Sequence, residues 1–166
     1  MTGFVSAIGV SSIVRFAAIC AFAFWQGGFV FYAGVVVPIG SDELGDTLQG
    51  FITRRVTQGL NIAGVVALII LLADGLRNFQ GLKTRGWFWA FWILMVLCQA
   101  WLIVQHPAMD RLLEPETVSI LDRKRFRLQH QIYLWTSTVM WVASLGWAWL
   151  LATGTRQAEV NEKPRT

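Results

Sequence analysis

Cysteine and histidine are scarce in this chain and charge is thin: two Cys, two His, and 14% Asp, Glu, Lys and Arg in 166 residues. Two isolated thiols, Cys20 and Cys98, build neither a disulfide framework nor a CxxC metal site; both fall in apolar runs and read as small packing residues. Two histidines without HxxxH spacing exclude the common helical metal motifs. GxSxG, P-loop, HExxH and GxGxxG patterns are all missing, so nothing in the sequence supports an enzyme. The formal net charge of +4 has no soluble basic domain to carry it, which argues against nucleic acid as a partner.

The chain is rich instead in apolar length, with 55% hydrophobic residues and a mean hydropathy of +0.51. A spanning helix needs about 20 mostly apolar residues to cross about 30 Å of hydrocarbon. The runs 16–38, 59–73, 87–105 and 131–152 meet that demand, the second by extending across Asp74, so spans are expected at 16–38, 57–78, 87–105 and 131–152. The fold class implied is all-α: an integral membrane four-helix bundle, one domain over 1–153, with a polar tail at 154–166 expected to be disordered. The first run is too long for a signal peptide and is read as a retained helix. Four spans put both termini on one side. The fourteen Lys and Arg divide evenly between the two sides, leaving orientation to a lean towards cytoplasmic termini.

Inside a bilayer, helices pack through small residues and interhelical hydrogen bonds rather than through the hydrophobic effect. Ala23, Gly27 and Gly28 on the first helix, and Gly59, Ala63 and Ala67 on the second, stand at the spacing that lets backbones approach. Helix four repeats the device with Ser144, Ala148 and Ala152. Of nine tryptophans, Trp87, Trp89, Trp147 and Trp149 lie near span ends, where an aromatic belt forms; Trp25, Trp92, Trp101 and Trp141 lie deeper, where a cation cage is the sharper alternative to packing.

The polar residues within the spans are Gln26, Asn61, Gln99 and Gln105, and interhelical hydrogen bonds are their ordinary explanation, a proton or ligand path the sharper one. Arg15 and Asp74 fall on one side, where an ion pair is the simplest expectation. His106 and His130 bracket the third connector at similar depth, an arrangement that could ligate haem iron or copper. Pro107 predicts that helix three ends at His106, and Pro115 permits a new helix in the connector. Arg123, Lys124, Arg125 and Arg127 then stand where long basic side chains reach anionic lipid head groups. The partners implied are the bilayer itself and other membrane subunits or a second copy.

Two stretches carry a family resemblance: Phe24-Trp25-Gln26-Gly27-Gly28-Phe29-Val30-Phe31-Tyr32 running on to Pro38, and Arg123-Lys124-Arg125-Phe126-Arg127-Leu128-Gln129-His130 leading into the last helix. With the four-span layout they resemble the TMEM205-like (DUF4149) group of small membrane proteins, while Gln131-Ile132-Tyr133 departs from that pattern. The resemblance implies a fold and a membrane location and directs attention to Gly27, Gly28, Pro38 and His130; it brings no biochemical activity.

Overall fold

The computed structural model describes residues 2–78, 82–114 and 119–162, with side chains over 12–77, 85–114 and 119–152. Helix α1 (Thr2–Phe31) passes through a π-helical turn (Tyr32–Val36) into α2 (Val37–Leu44). Then follow α3 (Asp46–Asn78), α4 (Leu82–Asp110), a two-residue ladder pairing β1 (Leu113–Glu114) with β2 (Ser119–Ile120), and α5 (Arg123–Glu162). Four stretches, Ser12–Leu44, Asp46–Arg77, Arg85–Asp110 and Arg123–Ala152, are long and apolar enough to cross a membrane. The chain is an all-α four-helix bundle with the layout of a multi-pass membrane protein.

The helices outrun the expected spans at both ends, because backbone hydrogen bonding, unlike hydropathy, does not stop where charge begins. Most of the first connector is helical: α2 continues α1, and the chain reverses at Gly45 alone, whose φ of 79° suits glycine. The Gly45 N–H donates to Ser41 O, and its carbonyl accepts from the Gln49 N–H, so one residue closes one helix and opens the next. Pro38 explains the π turn upstream: without an N–H it cannot serve the carbonyl four residues back, and the turn widens so that the Val37 N–H reaches Tyr32 O.

Pro107 does not end the third membrane helix at His106 as expected. It sits inside the last turn of α4, where the helix continues to Asp110, held by contacts of His106 and Asp110 with α3. The new helix allowed by Pro115 is also corrected. Residues 115–118 lie outside the described set, their flanks pair as β1 and β2, and α5 starts at Arg123, capped by Asp122, whose Oδ1 accepts the Arg125 N–H at 2.9 Å. At the far end α5 runs to Glu162, so the tail expected to be disordered from Gly154 is helical that far; Arg156, Gln157, Ala158 and Glu159 are good helix formers extending an existing helix.

Two antiparallel hairpins make the bundle, α1 on α3 and α4 on α5, joined through α3 and α4. The register is readable from cross-helix pairs: Arg54 meets Asp110, Asn61 meets Gln99, Leu68 meets Trp92, and Gly75 meets Phe88. Phe22 of α1 stacks on Trp147 of α5 at 5.8 Å between ring centroids, closing the ring of four helices.

The small-residue stripes are used only in part. Gly28 takes Leu60 at van der Waals distance, Ala63 packs against the core and Ala67 is buried in it. Gly27 and Gly59 have nothing within 4 Å of where a Cβ would stand, and Ala23 is exposed. The close approaches fall at other glycines: a Cβ would run into Gln99 at Gly64, into Phe88 at Gly75 and into Phe91 at Gly146. Trp147, expected in the aromatic belt, is fully buried in the core, whereas Trp87, Trp135 and Trp149 face outward as a belt requires.

Candidate functional site: the polar half of the bundle

Polar side chains gather in the half of the bundle that contains Gly45 and Asp110. Nearest the Gly45 reversal, Gln49 is buried over Gly40, and its Nε2 donates to the Tyr32 hydroxyl at 3.3 Å and to Thr53 Oγ1 at 3.4 Å. The Tyr32 hydroxyl donates to Thr53 Oγ1 at 3.0 Å, and Thr53 donates to the Gln49 carbonyl. The π turn ahead of Pro38 is what carries Tyr32. This cluster was not visible in the sequence; a tyrosine two residues before a Gly-x-x-x-Pro run has no signature of its own.

One turn deeper on α3, the Arg54 Nε lies 3.0 Å from Asp110 Oδ1, an ion pair that ties α3 to the end of α4. Asp110 Oδ2 stands 3.4 Å from Nδ1 of His106, its i−4 neighbour, and His106 Nε2 lies 3.0 Å from the Arg54 carbonyl. A carbonyl only accepts, so Nε2 carries the ring proton, and the Asp110 contact becomes an ion pair when Nδ1 is protonated as well. Both His106 nitrogens therefore face oxygen acceptors of the protein itself.

That arrangement does not fit the haem or copper site considered for His106 and His130. His130 stacks on Phe126 one turn earlier in α5, at 6.0 Å and 8° between planes, and no hydrogen bond or ring contact links the two histidines among the described residues. Nor, among those residues, does any group of three or more His, Cys, Asp or Glu stand where it could hold a metal ion. Beside the ion cluster, Gln105 donates from Nε2 to the Gln129 carbonyl at 2.7 Å, joining α4 to α5.

Near the middle of the spans, three helices meet on one amide. Gln99 Nε2 of α4 donates to Asn61 Oδ1 at 3.2 Å and to the Asn61 carbonyl at 3.3 Å, and the Tyr133 hydroxyl of α5 donates to Asn61 Oδ1 at 3.3 Å. Two acceptors fix the orientation of the Gln99 amide, so its Oε1 points away, against Gly64, with the Trp25 indole of α1 beside it. Gly64 is required here because a Cβ would occupy the space of both groups. All four membrane helices thus meet at this level. The expected polar residues Asn61, Gln99 and Gln105 are engaged as interhelical ties; Gln26 is buried, and its Oε1, like the Oε1 atoms of Gln99, Gln105 and Gln129, has no protein donor among the described residues.

The other half is built differently. Leu68, Leu71, Phe88, Met95 and Trp147 form the buried core there with Ala67, and the Trp92 indole donates to the Leu68 carbonyl at 3.0 Å. Asp74 is fully buried there, and its carboxylate is not paired with Arg15 as expected. Arg15 stands on the first span, half-buried.

Compared with family models, with curated proteins and with solved structures, the chain matches none.

Proposed function

We propose that this protein is a non-catalytic component of a membrane system, acting by binding: a stiff four-helix unit whose outer surface engages lipid and neighbouring subunits or a second copy. The observation that carries this reading is the use of its buried donors. The amide N–H groups of Gln99 and Gln105 and the hydroxyl of Tyr133 are given to Asn61 and to backbone carbonyls of adjacent helices, which is how a bundle is locked rather than how a path is lined. Below that level the interior is filled by Leu71, Phe88, Met95 and Trp147. The outward Ala23, Gly27 and Gly59 leave a shallow strip where another helix could approach. Cytoplasmic termini and kinship with the TMEM205-like (DUF4149) group belong to the same proposal, the latter resting on the Trp-x-Gly-Gly and Leu-x-His motifs.

Proteoliposomes test it. With a pH-sensitive dye inside, proton leak in the presence of the protein should equal that of empty vesicles, and Asn61→Leu should lower thermal stability without changing leak. Leak above the empty-vesicle level that Asn61→Leu abolishes in a folded protein would overturn the reading. It would promote the second one, a proton or small-solute path, which the four donor-less glutamine carbonyl oxygens favour because buried acceptors of this kind invite water.

A further inference from the structure

We infer that the start of α5 is a binding site for one anionic phospholipid, with its phosphate held by Lys124, Arg127 and Gln131 and an acyl chain laid along the helix below. A concavity of about 330 Å³ opens there, lined by Arg123, Lys124, Arg127, Leu128 and Gln131. It is a shallow, open groove on one face of the helix start. Its lining has three cations and one amide and no carboxylate, so it is complementary to a phosphate and not to a zwitterion's ammonium group. None of the three cations is in an ion pair among the described residues; Asp110 is engaged by Arg54 and His106, and Asp122 is turned to the Arg125 backbone N–H.

The helix beneath supplies the second half of the ligand's shape. Residues 124, 128, 131, 135, 138, 142 and 145 recur at alternating spacings of four and three, which keeps them on one face. All are exposed, with Leu128, Trp135, Val142 and Leu145 giving an apolar track directly below the basic concavity. Val142 lies about 21 Å along the axis from Leu128 at about 1.5 Å per residue, longer than the ~15 Å depth of one leaflet's hydrocarbon. Cation above, apolar track below and an outward Trp135 between them follow the order of phosphate, glycerol and acyl chain in a bilayer.

This site does not depend on the scaffold reading: a lipid could sit there whether the bundle is inert or conducts protons. Its test uses the full chain in mild non-ionic detergent, titrated with phosphatidylglycerol and, separately, with phosphatidylcholine of the same chains, bound lipid being counted by native mass spectrometry. Phosphatidylglycerol should bind preferentially. The preference should fall by tenfold or more in a Lys124→Gln/Arg127→Gln variant, at about fivefold per cation removed, and stay within about twofold in Arg125→Gln, whose residue lies outside the concavity. Leu128→Ser should weaken retention of the intact lipid. No preference in the wild type, or an equal loss in Arg125→Gln, would overturn a defined site in favour of diffuse charge. Displacement of the lipid by excess inorganic phosphate, with no effect of Leu128→Ser, would overturn the lipid as ligand and leave a soluble phosphate site. The substituted side chains are exposed, and an unchanged melting temperature checks that each variant is folded.

Discussion

The half of the bundle around Asp110 and the half around Phe88 solve the same packing problem with different chemistry. In the first, helices are fastened by point contacts: one ion pair, a shared imidazole, and amides that bridge α3, α4 and α5. In the second they are fastened by shape: Phe88 fills the notch at Gly75, Phe91 the notch at Gly146, and Trp147 stacks on Phe22. Hydrogen bonds between membrane helices are worth on average about 0.6 kcal/mol each, while filling or overfilling a close-packed notch moves stability by about 1–3 kcal/mol. The aromatic half is therefore expected to set how stable the bundle is, and the polar half to set which register its helices adopt, since a slip of one residue would separate every donor from its acceptor.

The largest effect should come from the aromatic half. Gly75→Leu must displace the Phe88 ring from the backbone of α3, and a loss of about 3 kcal/mol or outright failure to yield a monodisperse species is expected in detergent unfolding and gel filtration. A Gly75→Leu protein of unchanged stability would break the comparison at its stronger end. Next, Asn61→Leu removes the shared side-chain acceptor of Gln99 and Tyr133, leaving Gln99 only the residue-61 carbonyl, and should cost about 1–2 kcal/mol by the same measurement, more than one average interhelical bond because the Tyr133 hydroxyl is left without its acceptor. Smallest, Asp110→Asn removes a partly exposed ion pair and should cost about 1 kcal/mol in low salt. Raising the salt concentration should shrink that difference while leaving the Gly75→Leu difference untouched, which sharpens the contrast between the halves.

The four spans were legible because about twenty consecutive apolar residues have few other uses, and the interhelical role of Asn61, Gln99 and Gln105 followed from the cost of a lone amide in hydrocarbon. What escaped the sequence was register. Gly64, Gly75 and Gly146 each matter because of the particular large residue opposite, Gln99, Phe88 or Phe91, and no one-dimensional spacing shows which residue will be opposite. Gly27 and Gly59 have the right spacing and no such neighbour. His106 and His130 were paired by depth, yet they sit on helix faces with different company, the acceptors of Arg54 and Asp110 in one case and the Phe126 ring in the other. The Asp110 contact was concealed by Pro107. A proline usually breaks the i, i+4 relation, but this one lies in a final turn that survives it.

The reversal at Gly45 leaves no linker between the first two spans. With a single residue between Leu44 and Asp46, the first two membrane helices have no slack loop on which to drift apart or change register. They are tied as one hairpin by contacts close in sequence, such as Tyr32 with Gln49 and Thr53, the kind that form fastest. The first hairpin thus carries its own register, set before any contact with α4 or α5 is needed.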